Sequence, residues 1–181
     1  DITALQMAFM AKCGLVTFAG PMLAVDFHSE INRYTEEMFW SCVTSSKKIG
    51  YVLYPENSKI EVMVQGEGKG KIFGGNLALL CSSLGSKFLP KPKNKILILE
   101  DIGEVPYRVD RLLNQLVISD YFKNINGLIL GQFTDCEETD KEKKTLTLQE
   151  VFNDYLRKLK IPVITNFPHG HIKQNYTIPF G

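Results

Sequence analysis

The chain has 181 residues, 44% of them hydrophobic, with 21 basic and 20 acidic side chains and a formal net charge of +1. That is apolar material enough for one large domain, or one domain with part of another. The even charge balance excludes the strongly basic surface used to bind nucleic acid or acidic membranes. No apolar run approaches the length of a bilayer span, and no stretch has the charged start, apolar core and small-residue cleavage site of a secretion signal. Cys13, Cys42, Cys81 and Cys136 form no CxxC pair and have no histidine at ligand spacing, so no metal site and a reducing compartment are expected.

In chain order, DITALQMAFMAKC predicts a helix over 1–13 with Ile2, Leu5, Phe9 and Met10 on one face and Gly14 as its left-handed stop. A helix that opens on the first residue looks cut inside a strand-turn-helix unit. Leu15 to Phe18 is a short apolar run before the turn at Gly20-Pro21. Ile31, Tyr34, Met38 and Cys42 recur at helical spacing, with Ser29 as the expected N-cap and an end near Ser45. Tyr51 to Tyr54 has a strand pattern. From Ile60 the residues alternate with period two, and Gly66, Gly68 and Gly70 interrupt a second run at 69–73, which predicts antiparallel β structure with a hairpin or bulge rather than a phosphate loop.

Gly74-Gly75-Asn76 then opens a short helix that Gly85 closes, a start that could offer backbone N–H groups to a substrate anion or serve as a plain N-cap. After a basic loop over 87–95, Ile96 to Leu99 is a buried strand that runs into Glu100 and Asp101. A helix follows over 105–121, a second buried strand over 127–133, a charged loop over 137–144, a helix over 148–159 and a strand over 162–164. This βαβαβ order implies parallel pairing, with functional side chains beyond the carboxyl ends of the strands. Glu100 and Asp101, Thr134 and Asp135, and His169 and His171 follow the three strands. A carboxylate and a histidine on neighbouring strand ends are two members of a nucleophile triad; no third member is evident from spacing.

Several blocks together resemble the LD-carboxypeptidases, a serine peptidase family that includes the microcin C immunity peptidases. They are DITAL, GPM at 20–22, GGNL at 74–77, LEDIGEVPYRVDR at 99–111, GLILGQFTDC at 127–136, and PHGH with the later PFG. The resemblance implies an α/β architecture: residues 1–25 end a flavodoxin-like N-terminal domain, 26–58 cross over, and 59–181 form a mixed α/β C-terminal domain of the swivelling type. It implies a Ser-Glu-His triad in which Glu100 and His171 are the acid and the histidine. The family's serine directly precedes Asp-Ile-Thr and so would stand immediately before Asp1, whose backbone N–H would then form part of the oxyanion hole. Ser29, Ser82, Ser83 and Ser119 do not match that position. This chain alone is therefore expected to be inactive and to need an N-terminal segment. The resemblance further implies a cytoplasmic murein tetrapeptide that loses D-alanine, no metal or organic cofactor, no nucleic-acid or membrane partner, and a homodimer. A peptide-nucleotide substrate, or a non-catalytic muropeptide-binding fragment, are the alternatives.

Overall fold

The computed structural model describes residues 1–28, 30–47, 50–140 and 142–181. Helix α1 (Ile2–Cys13) ends as expected at Gly14, at φ 63°. Strand β1 (Thr17–Ala19) follows, then α2 (Arg33–Val43). The expected cap Ser29 lies outside the described residues; the N-cap is Asn32, whose Oδ1 accepts from the Tyr34 N–H at 3.0 Å. The run 51–54 forms no strand.

Strands β2 (Glu61–Val64), β3 (Lys71–Asn76), β4 (Lys95–Ile102), β5 (Gly127–Thr134) and β6 (Val163–Thr165) make one sheet in the order β2-β6-β5-β4-β3. All neighbours are parallel except β2 with β6. The fold is thus mixed α/β with a mainly parallel sheet. Strand β2 is antiparallel as expected, with an irregularity between Val62 and Val64, but its partner is β6; no hairpin joins it to β3, which lies on the opposite edge of the sheet. The glycine-rich linker between them crosses beneath the amino ends of the central strands. A Cβ on Gly68 would stand 2.4 Å from the Asn126 carbonyl oxygen, and one on Gly70 would stand 2.5 Å from that of Asn94. The glycines that look like hairpin punctuation therefore serve backbone-to-backbone contact.

Helices α3 (Leu77–Ser82), α4 (Pro106–Ile118) and α5 (Leu148–Leu156) pack in sequence against one another, and α1 joins the row beside α3. Leu97, Ile98 and Leu99 of β4 are all fully buried, as both faces of a covered parallel strand should be. Helix α4 buries Val109, Leu113 and Leu116 and is shorter than expected, giving way to a 3-10 turn at Tyr121–Asn124. A capping box between Thr147 and Glu150 starts α5. A last strand, β7 (Ile178–Phe180), pairs antiparallel with β1, so the two ends of the chain are joined.

Helix α1 differs from its sequence pattern. Its inward residues are Thr3, Gln6 and Met7, while Ile2, Leu5 and Phe9 are exposed at 61%, 53% and 47%. Polar groups face inward because they meet backbone: the Gln6 side chain donates to the Phe18 carbonyl at 2.9 Å, and the Thr3 hydroxyl accepts from the Asn76 N–H at 3.2 Å.

Candidate active site

The carboxyl end of β4 carries the first two groups. Between Leu99 and Asp101 the register with β5 slips, so that Gly131 and Gln132 together face Glu100. Such a bulge frees backbone groups and re-aims what lies beside it. Here the Gln132 N–H turns to the His169 carbonyl at 2.8 Å, and Gly131 leaves room for it, since a Cβ there would stand 2.5 Å from the same oxygen. The bulge thus receives the loop that follows β6.

That loop brings His171 to Glu100. The imidazole Nδ1–H donates to Glu100 Oε2 at 3.0 Å, the acid side chain being 7% exposed and the histidine 41%. A carboxylate can only accept, so the bond fixes the Nδ1-protonated tautomer whenever the imidazole is neutral and leaves Nε2 free for a second partner. The Thr134 hydroxyl pins the His171 carbonyl at 3.0 Å. Gly170, at φ +129°, is required between them: a Cβ there would lie 3.2 Å from Glu100 Oε2. Burial pushes the Glu100 carboxyl above its ordinary pKa, against the pull of the His171 imidazole. An acid-imidazole pair of this shape can hold a ring in one tautomer and stabilise the imidazolium as the ring accepts a proton.

His169 follows the same strand but is not part of the open site. It is buried, and its Nδ1–H donates to the Tyr176 carbonyl at 2.8 Å. Burial lowers its pKa to about 4. Asp135 sits in the left-handed region at φ 53°, a turn position beyond β5.

Asp101 takes a different role from the one its position suggests. It accepts from Asn76 Nδ2 at 2.7 Å, the Ala78 N–H at 3.0 Å and the Ile102 N–H at 2.8 Å. Glu104 is the acid that meets Arg108, at 3.4 Å. Burial raises the Asp101 pKa while these three hydrogen bonds oppose it. Asp101 therefore locks the start of α3 to the end of β4.

Gly74, Gly75 and Asn76 form the end of β3 itself, and Asn76 is the register partner of Glu100. The Asn76 side chain is occupied at both ends, donating to Asp101 and accepting the Leu79 N–H at 3.0 Å as the N-cap of α3. Gly74 and Gly75 have positive φ, 133° and 121°, and a Cβ on Gly74 would collide with the Ile98 carbonyl at 1.9 Å. At Gly75 a Cβ would meet the Thr3 hydroxyl at 2.8 Å. The absent side chain is what lets the first turn of α1 dock on the strand next to Glu100. Asp1 is the N-cap of α1 with its side chain exposed and uncommitted.

Two cavities flank the rim, of about 390 Å³ beside Glu104 and Arg108 and about 540 Å³ beside Gln132 and Lys173; neither Glu100 nor His171 lines them. Among the described residues no cluster of three or more His, Cys, Asp or Glu could hold a metal ion, and no helix is long and apolar enough to cross a membrane. Sequence reasoning did not find Gly131, although a glycine inside the apolar strand GLILGQF was an available signal.

Comparison with known proteins gives these positions a context. Residues 69–181 match the model of the LD-carboxypeptidase C-terminal domain. The whole chain is 34% identical to a probable murein peptide carboxypeptidase of Bacillus subtilis and 29% identical to the microcin self-immunity protein MccF of Escherichia coli, covering 56% and 59% of those proteins. It superposes on a crystal structure of muramoyltetrapeptide carboxypeptidase from Oxalobacter formigenes with a TM-score of 0.82 and 33% identity, spanning all of this chain and 60% of that one. The chain thus spans little more than half the length of these relatives, and it belongs to the LD-carboxypeptidase family.

Proposed function

We propose that the complete protein is a serine carboxypeptidase that hydrolyses the L,D-peptide bond before the C-terminal D-alanine of a murein tetrapeptide, in the cytoplasmic recycling of peptidoglycan. One observation carries the reading: the first turn of α1 is clamped through Thr3 to Asn76, the register partner of Glu100, while Glu100 holds His171 at 3.0 Å. A side chain immediately ahead of Asp1 would enter this neighbourhood from the helix start, as a nucleophile on a strand-to-helix turn does.

In this mechanism the serine ahead of Asp1 attacks the scissile carbonyl, and His171 Nε2 takes its proton. The Asp1 N–H helps to stabilise the oxyanion, and the His171 imidazolium returns the proton to the leaving D-alanine amine. Water then attacks the acyl carbonyl and gives a proton to His171; the ester bond to the serine breaks, His171 returns the proton to the serine oxygen, and the shortened peptide leaves as a carboxylate. Glu100 holds the ring and stabilises its charged form throughout. The names of the relatives support a murein peptide as substrate, and the protein's own chemistry calls for no metal or organic cofactor.

The test is product identification by mass spectrometry with the complete protein. A murein tetrapeptide should lose D-alanine, and the same peptide ending in L-alanine should not. Release of a nucleotide moiety from a peptide-nucleotide conjugate, with no D-alanine from the tetrapeptide, would move the protein to the immunity branch. Binding of the tetrapeptide without turnover would make it a muropeptide-binding protein.

A further inference from the structure

The loop that presents His171 closes on itself through the Tyr176 N–H, which donates to the Pro168 carbonyl at 2.7 Å, and the His169 Nδ1–H, which donates to the Tyr176 carbonyl at 2.8 Å. Inside it, the Gly170 N–H donates to Asn175 Oδ1 at 3.2 Å. Two backbone groups of the loop are satisfied from elsewhere. The Asn175 N–H donates to Thr35 Oγ1 at 2.8 Å, and Thr35 Oγ1–H donates to the Lys173 carbonyl at 2.6 Å. Thr35 lies on α2, well over a hundred residues earlier in the chain, and is 2% exposed; Asn175 is 8% exposed. The buried Asn175 N–H needs a partner, and among the described residues no other hydrogen bond reaches it or the carbonyl of the exposed Lys173.

A single hydroxyl thus accepts from one side of the loop and donates to the other, two and four residues beyond His171. On the opposite side, the Thr134 hydroxyl of β5 holds the His171 carbonyl. The threonine hydroxyl both accepts and donates through one oxygen; valine has the same shape and can do neither.

We infer that Thr35 is a positioning residue for His171, so that α2 sets the placement of the imidazole against Glu100. The inference deepens the proposed reaction and rests on it only for the consequence in rate. The placement itself is readable without turnover.

The test is long-range proton-nitrogen NMR on the complete protein with ¹⁵N-labelled histidine, His171 being assigned by its loss in His171→Gln. The wild type should show His171 as the Nδ1–H tautomer with a downfield, exchange-protected N–H. Thr35→Val, still folded by amide dispersion, should lose at least half of that tautomer population, whereas Thr35→Ser should keep it. An unchanged His171 signal in folded Thr35→Val, or equal loss in the valine and serine variants, overturns the inference. Should the valine variant not fold, wild-type amide exchange decides: an Asn175 N–H as slow to exchange as the strand amides supports the clamp, and one as fast as an exposed loop amide overturns it. Glu100→Ala separates the two readings. If it leaves the His171 signal intact, the pairing behind the proposed triad fails; if it abolishes the signal while Thr35→Val does not, only the role of Thr35 fails. In the complete protein, Thr35→Val should lower kcat roughly 10- to 100-fold with KM within about two-fold, since a displacement of about an ångström costs on that order, and Thr35→Ser should restore most of it.

Discussion

The carboxyl rim of the sheet and the first 25 residues invert the ordinary rule of burial in opposite directions. At the rim, Glu100, Asp101, His169 and Asn175 are buried polar groups, each with hydrogen-bond partners. In the first 25 residues, Ile2, Leu5, Phe9, Leu15, Phe18, Leu23 and Val25 are apolar and exposed, while Thr3 and Gln6 face inward. Burying a polar group costs stability unless it is fully satisfied, and leaving apolar area in water forgoes roughly 25 cal/mol per Å². Neither arrangement is explained by the stability of these residues alone. The rim spends stability on orienting an acid and an imidazole, and α1 is held by polar contacts to strand ends rather than by its apolar face.

Substitutions can break this comparison. The largest effect is expected for Gly74→Ala, whose Cβ would be driven to 1.9 Å from the Ile98 carbonyl. With a strained φ as well, it should cost about 4 kcal/mol or more in chemical denaturation, or prevent folding. Leu99→Ala, in the fully buried part of β4, should cost about 2–5 kcal/mol.

A pH effect comes next. His169 has its pKa lowered from 6.5 to about 4 by burial, so the folded state resists its protonation. The stability held above the unfolded value is therefore lost as pH falls from about 6.5 through 4, by roughly 3 kcal/mol for this group. Glu100 and Asp101, with raised values, act in the opposite sense on acidification. His169→Asn keeps a donor toward Tyr176, and its urea midpoint should fall less steeply than that of the wild type across that window. The smallest effect is expected for Leu5→Ala on exposed α1, within about 0.5 kcal/mol in this chain. A cost above 1 kcal/mol would show that the apolar face is packed after all.

The βαβαβ core was legible because its signals are local: an unbroken apolar strand such as 96–99 and the apolar helical pattern over 105–121. The pairing of Glu100 with His171 was legible from strand-end placement and family blocks. What escaped is set by long-range backbone contact. The glycines at 68 and 70 mark a crossing under the sheet, not a hairpin, because their meaning depends on Asn126 and Asn94. The pattern of α1 gave its apolar face correctly but not which face docks, because Thr3 and Gln6 answer to backbone groups at 76 and 18. Strand β7 is three residues with a central proline, too short to signal its pairing with β1.

The pairing of Glu100 with His171 as the orienting half of a serine triad is tested most directly by D-alanine release from a murein tetrapeptide, measured as kcat/KM for the complete protein and two variants. His171→Ala should lower it by roughly 1000-fold or more, and Glu100→Gln by roughly 100- to 10,000-fold, with both variants folded. Wild-type rates in either variant would contradict the assignment.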